Sequence, residues 1–245
     1  MKKPPLIDVR NIHKWYGKAH AVNGVSFIVN RGEIMGLIGD NGAGKSTLIK
    51  VLSGYHRPNE GEIFIEGEKV KINSPSDARA LGIETLYQEQ ALVDSMSLAR
   101  NFYMGREPVN SAGFLKKQKM NECIKILHRI GLSIKSPDIL VGNLSGGEKQ
   151  GVAIGRSMYF KAKLVLLDEP TRALSVKEVQ TVLDFVKEFK EANISAIFIT
   201  HNIQHVYTIA DRFLILKNGK VIKDIEKDAT SVEELTESLM GVRNV

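Results

Sequence analysis

GDNGAGKS, Gly39 to Ser46, decides how the rest of this sequence reads. EIMGLIG (33–39) is a short aliphatic strand that runs straight into it, and KSTLIKVLSG (45–54) reads as a helix closed by Gly54. The stretch fits G-x-x-x-x-G-K-[ST] without a mismatch, in the strand–turn–helix setting the pattern needs. Its glycines let the backbone curl so that successive N–H groups point inward at an anion. The following helix adds its positive end and its unpaired N–H groups. Lys45 supplies a point charge for β- and γ-phosphates, and the Ser46 hydroxyl completes a magnesium shell. Gly39, Asn41, Gly42, Ala43, Gly44, Lys45, Ser46 and Thr47 are therefore the candidate triphosphate-binding residues.

A second stretch belongs with the first. LVLLDEP (164–170) is an aliphatic run ending in two adjacent carboxylates, which would repel each other and be costly to desolvate without a counter-charge. Proteins built on a phosphate loop end a second buried strand in an acidic residue that faces the magnesium. Asp168 fits that role, and Glu169 is then free to poise a water for in-line attack on the γ-phosphate.

Strands are expected over 6–16, 21–30, 83–90, 163–168 and 194–199. A hairpin is expected over 61–72 around Glu66 and Gly67, and another at the Asn-Gly pair of FLILKNGKVIKD. Helices are expected in SPSDARALG, 176–191, 202–210 and 231–240, where Ser231 and Glu234 form a capping-box pattern. From 91 to 161 the signals are mainly helical. Alternating strands and helices imply a mainly parallel sheet covered on both faces, with 91–161 as an inserted helical lobe in one domain of 245 residues.

The bulk numbers exclude more than they assign. The net charge of +6 comes from basic residues that are scattered, not striped, so nothing marks a nucleic-acid surface. One cysteine, Cys123, rules out a disulfide within the chain and reads as a small core residue in a reducing compartment. The N-terminus lacks the apolar run of a signal peptide, and no apolar segment nears the ~18 residues that span a bilayer. The expectation is a cytosolic protein that can dock on something membrane-bound.

LSGGEKQ (Leu144–Gln150) is another glycine-rich helix start. Between the phosphate loop and LVLLDEP, it resembles the signature of ABC-transporter nucleotide-binding domains, and the resemblance covers essentially the whole chain. It implies an α/β P-loop NTPase core with an N-terminal antiparallel β subdomain and an inserted α-helical subdomain, working as a magnesium-dependent ATPase. By resemblance, Tyr16 stacks on adenine, although a surface aromatic beside Trp15 is the alternative reading. Gln88 in LYQEQ touches magnesium and the attacking water, and His201 in FITHN contacts the γ-phosphate. Ser145, Gly146 and Gly147 act in trans, capping ATP held by a second copy in a head-to-tail homodimer. Two positions depart from the family pattern: Glu148 stands where glutamine is common, and Ser175 where the loop after LVLLDEP usually has aspartate.

EPTRALS, NFYMGREP and SPDILVGNLSGGE further resemble ATPases of ribose-, xylose-, galactose- and fructose-type importers. That implies transmembrane permease subunits, an extracytoplasmic sugar-binding protein, and a place on the cytoplasmic face of the membrane. SMSLARNFYMGRE (95–107) would receive a permease helix, through Leu98, Phe102 and Met104 unless these are ordinary core. An importer or exporter ATPase for another substrate, and a soluble ABC ATPase acting on nucleic acid or ribosomes, are the alternatives.

Overall fold

The computed structural model describes residues 3–87, 92–111 and 117–240. In chain order the elements are β1 (Ile7–Tyr16), β2 (Ala19–Val29), β3 (Ile34–Ile38), α1 (Lys45–Leu52), β4 (Glu60–Ile65), β5 (Glu68–Val70), α2 (Pro75–Ala80) and β6 (Ile83–Leu86). They continue with α3 (Leu98–Tyr103), α4 (Lys117–Arg129), α5 (Gly146–Tyr159), β7 (Leu164–Asp168), α6 (Val176–Glu191) and β8 (Ser195–Thr200). The chain then adds α7 (Ile203–Tyr207), β9 (Arg212–Lys217), β10 (Lys220–Glu226) and α8 (Val232–Met240).

Two sheets result. An antiparallel one has the order β2-β1-β4-β5, and a six-stranded one has the order β10-β9-β3-β8-β7-β6. In the larger sheet β9, β3, β8, β7 and β6 run parallel and only β10 is antiparallel. Its central strands are apolar at nearly every position because both faces are covered, and the period of two sorts the side chains between two cores. Met35, Leu37, Leu166, Ile197 and Ile199 pack with α1 and the antiparallel sheet. Ile34, Ile38, Val165, Leu167 and Phe198 pack with α6 and with apolar residues of α3, α4 and α5.

Several elements follow from local chemistry. Ser74 caps α2 by accepting from the Asp77 N–H, with Pro75 in the first turn, where its missing donor is no loss. Ser231 and Glu234 exchange side-chain and backbone bonds at the start of α8, as their spacing suggests. The β9–β10 turn sits on Asn218 and Gly219, both at positive φ, as a two-residue hairpin requires.

Other elements differ from expectation. The hairpin over 61–72 closes tightly at Glu66 and Gly67, so β5 keeps only three residues. The helix expected over 202–210 is a single short one, Ile203–Tyr207, and the strand expected over 83–90 stops at Leu86. Gln88 lies outside the described residues. Leu98 and Phe102 are fully buried, so they are core and not a docking surface; Met104 stays on the rim of a cleft. Cys123 is buried and its Sγ donates to the Met120 carbonyl at 3.0 Å; burial pushes its thiol up to about 12, which leaves it inert. Among the described residues, no helix is long and apolar enough to cross a membrane.

Candidate functional site

The C-terminal ends of β3, β7 and β8 lie side by side, which is where open α/β sheets present their sites. An open cleft of about 580 Å³ sits there, lined by Asn41 to Thr47, Tyr16, Asp168, Glu169 and His201. The loop leaving β3 is pressed against other backbone. A Cβ on Gly39 would lie 2.4 Å from the Leu216 carbonyl oxygen, and one on Gly44 2.4 Å from that of Ala21. Gly44 also caps α1 at φ 103°, a conformation that favours glycine. Lys45, first in α1, folds back so that Nζ donates to the carbonyls of Gly39 at 2.5 Å and Asp40 at 2.9 Å. Burial lowers its basicity, while Glu169, Asp168 and Asp40 work the other way.

Asp168 ends β7. Its Oδ1 is buried and has no hydrogen-bond partner among the described residues. Burial raises its carboxyl above the usual range and Glu169 raises it further, against Lys45 and Lys50. An orphaned, ionisable oxygen facing a lysine and a serine-bearing helix start fits a divalent cation, with Asp168 and Ser46 as donors.

A carboxyl raised in the folded state holds its proton more tightly there than in the unfolded chain. Its stabilising effect is present at low pH and is lost as pH rises through the folded value. Asp168→Asn removes that penalty. At pH 8 the nucleotide-free variant should melt no lower than the parent, within the ~2–4 °C that 1 kcal/mol moves a domain of this size. The melting shift produced by magnesium-nucleotide should disappear. Calorimetry with and without magnesium-nucleotide checks both halves; a clearly lower melting point for the nucleotide-free variant contradicts the assignment.

Glu169 is held at φ 50°, where a non-glycine residue costs about 1–2 kcal/mol. Its carboxylate is mostly buried and pinned. Oε2 accepts from Thr200 Oγ1 at 3.2 Å, and Oε1 accepts from the His201 backbone N–H at 3.2 Å and from His201 Nδ1 at 2.8 Å. His201 leaves 62% of its side chain exposed. With Nδ1–H on Glu169, the ring turns its Nε2 outward, as an acceptor when neutral and a donor when protonated.

Tyr16 and Trp15 part company. Tyr16 is 42% exposed and lines the cleft, whereas Trp15 stacks with His13 and His20 and does not line it. Sequence reasoning missed Ala21, Arg172 and Thr200. Ala21 and Arg172 line the cleft, and Thr200 holds Glu169. Arg172 carried a signal, being the cation that follows EPT, but only the fold shows where Ala21 runs.

Ser145, Gly146 and Gly147 do not line this cleft. Ser145 caps α5 and shares a capping box with Glu148, which gives the glutamate at that position a local role: Glu148 Oε2 accepts from the Ser145 N–H at 2.8 Å. Ser175 does the same for α6 with Glu178. One chain therefore carries a lysine-bearing glycine loop on the cleft and, apart from it, a second glycine-bearing helix start.

The sequence profile of the ABC transporter family matches residues 22–172, which include both the cradle and the α5 start. The chain belongs to the ABC transporter family. Within it, the chain is 47% identical to the xylose/arabinose import ATP-binding protein of Sulfolobus acidocaldarius, across 95% of this chain and 92% of that one. It is 35% identical to the ribose import ATP-binding protein of Rhodococcus jostii, across 97% of this chain but 47% of that protein, so it spans about half of that relative. An ATP-binding cassette of an ABC transporter, solved in its ADP conformation, has the same fold. Its TM-score is 0.83 and its identity 29%, with 98% of this chain and 96% of that one covered.

Proposed function

We propose that this chain is the ATP-hydrolysing, energy-coupling subunit of an ABC importer for a monosaccharide. The observation that carries the ATPase reading is the cleft that gathers Lys45, Asp168, Glu169 and His201 around one phosphate cradle. The import ATP-binding relatives supply the transport class.

The residues divide the work as follows. Tyr16 offers an exposed ring face to adenine. The N–H groups of the loop from Gly39 to Thr47 surround the phosphates, and Lys45 exchanges its two loop carbonyls for β- and γ-oxygens. Ser46 and Asp168, with Gln88 by resemblance, would hold magnesium, which would neutralise charge building on the phosphates. Glu169 orients the attacking water and takes its proton. His201, held to Glu169, turns its outer nitrogen to the γ-phosphate.

Ser145, Gly146 and Gly147 complete the ATP site of a second copy, so two nucleotides lie between two head-to-tail protomers. ATP binds the closed dimer better than the open one, hydrolysis removes that preference, and the difference moves the attached permease subunits. The partners are thus a second copy and transmembrane permease subunits, with an extracytoplasmic sugar-binding protein acting through the latter. The working place is the cytoplasmic face of the membrane.

The permease helix sits in the cleft of about 270 Å³ between β6 and the lobe, with Met104 and Arg106 on its rim. Arg106 is tied to Glu84 at 2.5 Å, and Arg156 donates to the Met104 carbonyl at 2.6 Å, so both rim residues are held by the lobe and β6. Reconstitution with the permease tests this. Met104→Asp should leave basal ATP turnover unchanged while stimulation by permease drops on the order of tenfold. Full stimulation would contradict the docking assignment.

A further inference from the structure

The first turn of α6 lies against the first turn of α5, and one side chain spans the gap. Glu178, in the opening turn of α6, uses Oε2 to accept from the Ser175 N–H at 3.0 Å and the Ser175 hydroxyl at 2.8 Å. Its Oε1 accepts from the Gly147 N–H at 3.2 Å. The Ser175 side chain first, then the Ser175 and Gly147 N–H groups, hold its carboxyl below the usual range, with the Gly146 N–H also favouring the charged form.

The two glycines are shaped to this contact. A Cβ on Gly147 would lie 3.2 Å from both Cβ and Cγ of Glu178, and one on Gly146 would lie 2.7 Å from Leu174 Cδ2. The single subunit therefore already places an anion at the start of α5, on the N–H that would face the γ-phosphate of the facing protomer.

We infer that Glu178 is an internal stand-in for that γ-phosphate, which the nucleotide must displace from Gly147 before the dimer closes; this rests on the nucleotide-sandwich reading above. One N–H donates to one close anion at a time, and a carboxylate left beside it repels an arriving phosphate. Glu178 thus raises the ATP concentration at which closure occurs. Because its other oxygen holds Ser175, its release also frees the loop that joins the Glu169 turn to α6, so closure at one helix start is felt beside the hydrolytic residues.

The test uses the full chain with Glu169→Gln, so that ATP is bound but not consumed. Glu178→Gln keeps a neutral acceptor for Gly147 and Glu178→Ala removes the group. Sedimentation across an ATP titration should show the half-point for dimer formation falling roughly tenfold in both variants, within the usual range of site-to-site coupling. ADP affinity of the monomer should not move, because ADP does not reach α5. An unchanged or raised half-point in these variants, with their melting curves like the parent's, overturns the inference. If the parent itself forms no dimer at any ATP concentration, the sandwich reading fails and takes this inference with it.

Discussion

Glu169→Gln is expected to lower ATP turnover about 1000-fold while leaving ATP binding intact. Removing a positioned general base costs 10²–10⁴-fold, roughly 4 kcal/mol of barrier at the middle of that range. The substitution is close to isosteric. The amide oxygen can keep the two His201 donors, and the Thr200 hydroxyl can rotate to accept from the new NH₂ group. The backbone at φ 50° makes the same demand of either residue. The variant should therefore fold, bind ATP and persist as a dimer, since the bridge is not hydrolysed away. Single-turnover measurements check this, and turnover within a few-fold of the parent would remove Glu169 from the role of base.

Lys45→Ala carries the second large effect, on binding. Nζ now donates to two loop carbonyls, and on binding it would trade them for phosphate oxygens. Hydrogen bonds that involve a charged partner contribute about 1.5–3 kcal/mol each. The variant also removes a cation that Asp40, Asp168 and Glu169 face. ATP affinity should fall about 100-fold or more, and ADP affinity by less, because the γ-phosphate contact is missing there. Calorimetric titration gives both constants, and unchanged affinities would contradict the cradle assignment.

These residues were legible in the sequence for different reasons. The turn from Gly39 to Ser46 and the run Leu164 to Asp168 announce themselves because backbone curl and a doubly buried strand restrict composition so strongly. Tyr16 was singled out by its match to the family pattern, not by strand alternation, which says only that it and Trp15 face opposite ways and not which face meets the cleft. Leu98 and Phe102 were ambiguous for a similar reason. A six-residue helix is too short for its apolar spacing to define an outer face.

Ser175 is the instructive case. Judged against the family pattern it is a missing aspartate, yet Ser-x-x-Glu is the same capping signature that was read at Ser231. The serine hydroxyl accepts the N–H that a cap must satisfy, so the local helix start is preserved. What the spacing could not reveal is that Glu178 also reaches Gly147, 31 residues away in sequence. That contact depends on how α5 and α6 pack, which no local pattern encodes.

The most direct test of the whole account is the mass and nucleotide content of the Glu169→Gln protein at saturating ATP. The protein should run as a species of twice the 27.2 kDa chain mass, holding one ATP per protomer and lost when Ser145 is replaced by arginine. A monomer whose Lys45 and Ser145 loops are both protected by one and the same ATP would contradict it.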